Sequence, residues 1–305
     1  MNRAEVVFKA IDVLFHPFQN CIKIKDTVIE KDISYDDRYP QCKADFVYKK
    51  SEEKLPVLVN IHGGGFVMGD KKHRRSISEL YADKGWFVIN INYRLAPKYP
   101  FPAFMEDIFA LLNLIPTIAD KYNLDLSRLV LTGDSAGAHA SAQVLACIHD
   151  ETLRKELGLP EVSVKPTGAV CFCGIYDVIA ATKLKVPFGI ARSVVESTVG
   201  ESFKKDYSDI NKYKYLKQIA PIHYVNSNWC PIMLTYSQKD IFCGGQGEMF
   251  YKKLKEVGVP CMEAHSTKLI DNHCYHFNYW TKASKETLKA VFDFLEKIKN
   301  NEAIA

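Results

Sequence analysis

At 305 residues, with 47% hydrophobic and 25% charged residues, the chain has the size and balance of one globular α/β domain with insertions. A formal charge of +4 lacks the concentrated basic face of a nucleic-acid binder, and no apolar run reaches the length of a membrane span. Nine scattered cysteines, an odd count without zinc-finger spacing, exclude a disulfide framework and fit reduced thiols in the cytoplasm.

The first element is a helix. Val6, Val7, Ala10, Ile11, Leu14 and Phe15 recur at helical spacing, while Lys9 and Asp12 interrupt the run where a signal peptide needs unbroken apolarity. Two strands follow, around 27–35 and 44–49, with no helix between them, so an antiparallel start is expected. Pro56 to Ile61 (PVLVNI) and Phe87 to Asn92 (FVININ) are continuous apolar strands of the kind buried on both faces. Between them lies a basic run, Lys71 to Arg75, read as a solvated helix start or, alternatively, as an attractive rim for anionic substrates.

A helix is expected from about Ala103 to Tyr122. The strand Leu129 to Thr132 then runs into Gly-Asp-Ser-Ala-Gly and a small-residue helix, Ala136 to His149. Ala169 to Ile175 forms the next strand, where Cys171 and Cys173 fit as small buried side chains. From Tyr176 to Tyr224 the alternation stops. A gap that long carries helices of its own, and with residues 1–25 it would form a cap over a site. Pro231 to Tyr236 (strand), Gln246 to Val257 (helix), Cys261 to Ser266 (strand) and Ser284 to Lys299 (helix) complete a mostly parallel sheet flanked by helices, in one domain.

Two motifs carry chemistry. Gly133-Asp134-Ser135-Ala136-Gly137 sits between a strand and a helix, where a GxSxG turn holds its serine in a strained conformation with the hydroxyl exposed. His62-Gly63-Gly64-Gly65-Phe66 follows a buried strand. Its bare backbone amides suit an oxyanion hole made by two of Gly63, Gly64 and Gly65 together with Ala136. Phe66 and Asp134 are the expected substrate-contacting side chains.

Serine needs a base oriented by a carboxylate. Asp240 lies just past the end of a late strand, the edge where catalytic groups gather; Asp271 and Glu248 close no strand and are weaker candidates. Either His273 or His276 is placed to be the base. Their spacing has no companion cluster to suggest a metal, and no cofactor is expected.

These motifs resemble the hormone-sensitive-lipase family of α/β-hydrolase esterases. The resemblance continues through Tyr93-Arg94-Leu95-Ala96-Pro97 and Phe101-Pro102-Ala103 to Asp107, and spans about residue 55 to the C-terminal helix. It implies a Ser-Asp-His triad acting on short- to medium-chain acyl esters through an acyl-enzyme, with Tyr93 to Asp107 structural. Two departures stand out: Asp240 precedes Ile-Phe rather than Pro-Leu, and the usual His-Gly-Phe reads His273-Cys274-Tyr275. Aligning the latter favours His273 over His276. The same machinery serves amide or formamide hydrolysis. A small-molecule receptor on this fold would have lost the histidine, which is present here. The partner expected is a small ester, and homodimers are common in such families.

Overall fold

The computed structural model describes residues 2–184 and 186–304. In chain order these form α1 (Arg3–Gln19), β1 (Val28–Ser34), β2 (Lys43–Tyr48), β3 (Leu55–Ile61), α2 (Arg75–Asp83), β4 (Phe87–Ile91), α3 (Ala103–Tyr122) and β5 (Leu124–Asp134). There follow α4 (Ala136–His149), α5 (Glu151–Glu156), β6 (Gly168–Phe172), α6 (Val178–Ala181), α7 (Ile190–Val199), β7 (Ile232–Ser237), α8 (Gln246–Val257), β8 (Cys261–Ser266) and α9 (Lys282–Lys299). Eight strands make one sheet in the order β1-β2-β4-β3-β5-β6-β7-β8.

The first two strands pair antiparallel, as their missing crossover requires, and β2 pairs antiparallel with β4. Every later pairing is parallel. All residues of β3, β4 and β6 are buried, which is why these strands read as unbroken apolar runs rather than alternating ones. Helices α3, α4 and α8 supply Phe104, Ile108, Val144 and Phe250 to the core on one face. On the other, α2 and α9 pack Ile77, Tyr81, Val291 and Phe294 against Leu58, Val88 and Val130. This is the α/β-hydrolase architecture.

The 176–224 stretch carries helices α6 and α7 and short 3-10 turns at Pro187–Gly189, Ile210–Lys212 and Pro221–Tyr224. It meets α1 directly. Asn2 Nδ2 donates to Ser197 Oγ (2.8 Å), the Ala4 amide donates to Ser193 Oγ (3.1 Å), and Asn2 and Glu5 close a capping box at the start of α1. The two segments thus form one helical cap beside the carboxyl ends of β3, β5 and β7. Strand β5 is longer than its apolar run, because Leu124 and Asp125 also pair with β3 before a register shift leads to Leu129.

The basic run is not solvated. Lys71, His73 and Arg74 are buried, and only Lys72 is exposed. Lys71 Nζ donates to Asp32 (2.7 Å) and Asp45 (2.6 Å), and Arg74 grips Asp134 through two 2.6 Å bonds. Buried cations persist when a carboxylate pairs each of them, and the partners lie 26 to 60 positions away in sequence. Arg74, the residue of the run that lines the cavity at Ser135, is paired with Asp134 and so offers that cavity no free charge.

Candidate active site

Ser135 joins β5 to α4 with φ +52° and ψ −112°, a conformation that L-residues rarely adopt. The turn is held from both sides. The Ser135 amide donates to the Phe172 carbonyl of β6 (2.7 Å), and its own carbonyl accepts from His139 within α4 (3.1 Å). Gly137 lets α4 press onto β3, because a Cβ there would lie 1.9 Å from the Ile61 carbonyl oxygen. Ala136 opens α4, so its amide lies among the helix's first N–H groups, which have no intrahelical acceptor.

The glycine loop follows β3. His62 is buried, stacks on Tyr93 (4.4 Å between centroids) and turns its Nδ1 to the Gly63 carbonyl (2.8 Å). Burial lowers its pKa to about 4, so the ring is neutral and shapes the loop. Tyr93 donates its hydroxyl to the His62 carbonyl (2.8 Å). Arg94 pairs with Asp107 (2.7 Å) and Glu106 (2.6 Å), which gives the Tyr93 to Asp107 segment its structural work. Gly64 has φ +116°, and a side chain there would strike the Met68 carbonyl at 2.0 Å. Gly64 and Gly65 border cavities that also expose Ser135, whereas Gly63 packs against Asp134.

Asp240 follows β7 and is buried. One oxygen accepts the amides of Phe242 and Cys243 (both 2.8 Å); the other meets His273 Nδ1 at 2.7 Å. Burial by itself would push the His273 imidazole down. The Asp240 charge and hydrogen bond, with the Cys243 thiol beside it, override this and hold it well above the ordinary histidine value. Asp240 shows the counterpart: burial raises it, but the His273 charge and these hydrogen bonds leave it below the usual carboxylate range.

His276 is elsewhere. It is buried, stacks on Phe172 (4.0 Å) and is pushed by burial to about 3. Asp271 accepts from Ser266 Oγ (2.7 Å), and Glu248 is exposed on α8. Neither approaches the His273 pair. The sequence reading missed Asn272, whose side chain accepts from the Ile241 amide (3.1 Å) and donates to the Lys239 carbonyl (2.9 Å), tying the histidine loop to the aspartate loop. An Asn directly before the histidine was the available signal.

Three cavities meet at Ser135; one is a 50 Å³ space that Leu184, Val186, Val194 and His273 also line, and the other two differ in size. The larger, 340 Å³, is lined by Phe8, Ile11, Asp12 and Phe15 of α1, by Arg74 and Asp134, and by His273 and Phe277. The smaller, 60 Å³, is lined by Phe66, Ala136, His139, Val178, Val195 and Ile219. Phe66 therefore faces the smaller space, stacked on Phe104 (4.3 Å), while both oxygens of Asp134 are bound to Arg74 at the floor of the larger.

Residues 45–254 match the BD-FAE family. The chain belongs to the BD-FAE family. A protein of Acanthamoeba polyphaga mimivirus named as an α/β hydrolase is 28% identical to this BD-FAE member over 82% of the chain and 70% of its own length. Tuliposide A-converting enzyme 2 of Tulipa gesneriana is 39% identical over a shorter segment, 30% of the chain and 27% of the plant protein. The crystal structure of esterase B from Lactobacillus rhamnosis superposes with a TM-score of 0.82 at 21% identity, covering 97% of this chain and 95% of that one. That likeness carries the fold. Among the described residues no helix is long and apolar enough to cross a membrane.

Proposed function

We propose that this BD-FAE member is a serine carboxylesterase of the hormone-sensitive-lipase type, with Ser135, His273 and Asp240 as its triad. The observation that carries the reading is the 2.7 Å contact between His273 Nδ1 and buried Asp240, on a cavity whose wall includes the strained Ser135. Asp240 fixes the imidazole tautomer, leaving Nε2 to take the Ser135 proton as the hydroxyl oxygen attacks the ester carbonyl. The carbonyl oxygen gains negative charge, for which the amides of the glycine loop and of Ala136 are the available donors. His273 then returns the proton to the leaving alcohol. Water, activated by the same base, frees the acid from Ser135.

The cavities support an assignment of the two halves of the substrate. The leaving alcohol must lie beside the histidine that protonates it, and of the two cavities that contain both Ser135 and His273 the 340 Å³ one is the roomier. The acyl group then occupies the 60 Å³ apolar space beside Phe66, which favours short chains.

Hydrolysis of p-nitrophenyl esters from acetate to palmitate tests this. Wild type is expected to prefer the short end, and Ser135→Ala to lose the hydroxyl's contribution, a fall of about 10⁶-fold in turnover. A folded Ser135→Ala protein with undiminished hydrolysis would overturn the assignment.

A further inference from the structure

Behind the His273–Asp240 pair three donors converge that the proposed reaction does not use. Cys173, just past β6, Cys274, next to His273, and His276 bring one ligand atom each to within 4.8 Å of one another. Cys173 and His276 are buried, while Cys274 opens onto the 340 Å³ cavity. The buried Nδ1 of His276 has no hydrogen-bond partner among the described residues, at 1% exposure for the residue. A buried ring nitrogen left without a partner is costly unless some ligand satisfies it.

We infer that Cys173, Cys274 and His276 form a binding site for one thiophilic cation, of the Zn²⁺ class, and that its occupation arrests hydrolysis at the adjacent triad. Two thiols and an imidazole are a soft to borderline donor set, suited to Zn²⁺ or Cd²⁺ and unsuited to Mg²⁺ or Ca²⁺. Mutual spacings below 4.8 Å are compatible with metal–sulfur bonds of about 2.3 Å and metal–nitrogen bonds of about 2.0 Å radiating from one centre. On binding, each thiol loses its proton to solvent and donates a sulfur lone pair, and the imidazole donates its own. No electron changes hands. The cavity supplies the route in, past Cys274.

Cys173 also lies within 4.8 Å of ligand atoms of Asp240 and His273. That second set is the poorer site, since the facing atoms of Asp240 and His273 are already joined at 2.7 Å. The proximity gives the occupied site its effect. The two thiolates neutralise the ion, so the effect is positional: drawing Cys274, the residue after His273, and Cys173 onto one centre pulls the imidazole out of line with Asp240 and Ser135, and turnover falls. This inhibitory half rests on the esterase reading, whereas the binding half does not.

Titration with Cd²⁺ alone, followed by thiolate-to-metal charge-transfer absorption, is expected to saturate at one ion per chain in the wild type. It should weaken about tenfold or more in each of Cys173→Ser and Cys274→Ser. With p-nitrophenyl acetate, Zn²⁺ should inhibit the wild type reversibly upon chelation. Cys173→Ser should keep its turnover without metal and lose the inhibition. Absorption that is absent in the wild type, or unchanged in Cys173→Ser, overturns the site. Affinity untouched by Cys274→Ser places the ion on Cys173, Asp240 and His273 instead and overturns the donor set. Metal binding seen on a chain that hydrolyses no ester upholds the site and removes only the esterase reading.

Discussion

Asp134 and Arg74 show how far one side chain's fate depends on a distant partner. The carboxylate is buried, and burial by itself would raise its pKa; the Arg74 guanidinium, bonded to both oxygens and lying over the Phe277 ring at 4.6 Å, holds it below the usual value. Arg74→Ala is therefore expected to cost about 3–5 kcal/mol in denaturant unfolding, since it strands a buried charge. Adding Asp134→Ala should recover part of that loss. Because the folded-state pKa is depressed, the pair's contribution is present above about pH 3.9 and disappears as pH falls through the folded value. A second expectation concerns His273. The base must be neutral to accept the serine proton, and Asp240 raises its pKa, so kcat/KM should rise with pH through an inflection above about 6.5. Asp240→Asn should lower kcat by about 10⁴-fold at neutral pH. Ser135 was legible because a GxSxG turn is local; Arg74 was not, because its carboxylate partner lies 60 positions away and a basic run looks solvated until that partner is placed. The thiols near His273 were hidden for the same reason: Cys173 follows β6 and Cys274 follows β8, far apart in the sequence.

Elements were readable where one periodicity governs them. Strands β3, β4 and β6 bury both faces and so appear as apolar runs, and α3, α4 and α9 keep their helical spacing. The cap was readable only as a gap, because α7 owes its position to contacts with α1 and the glycine loop rather than to strong local signals. Those contacts shape specificity. Helix α7 supplies Val194, Val195, Thr198 and Val199 to the 60 Å³ cavity assigned to the acyl chain. Val195→Ala enlarges that space, and chain-length profiles should shift toward longer esters, with each newly seated methylene improving the kcat/KM ratio by about tenfold or more. An unchanged profile would move the acyl group to another of the cavities. The closeness of α4 to β3 sets a stricter limit. A methyl at Gly137 meets the Ile61 backbone oxygen at 1.9 Å, so Gly137→Ala should displace the helix and lower both the unfolding midpoint and turnover.

Across the whole molecule, burial is divided unequally. The two faces of the sheet hold the extensive apolar clusters, and the cap is joined through a small third one built on Ala4, Val67, Ala96 and Ile190. Stability should follow that division, with the sheet and its flanking helices carrying most of the unfolding free energy. The cap instead walls the site, since α1 alone contributes Phe8, Ile11, Asp12, Phe15 and Gln19 to the 340 Å³ cavity. Removing residues 2–19 should then separate the two roles. The truncated protein is expected to unfold cooperatively, with a modest drop in Tm, because only one residue of α1 is fully buried. Its kcat/KM for p-nitrophenyl acetate should fall at least about tenfold, since water would reach a base and a nucleophile that α1 now shields. A collapse of Tm with the truncation would show that α1 belongs to the core. Unchanged kinetics in a stable truncated protein would show that the alcohol side of the site is built without it.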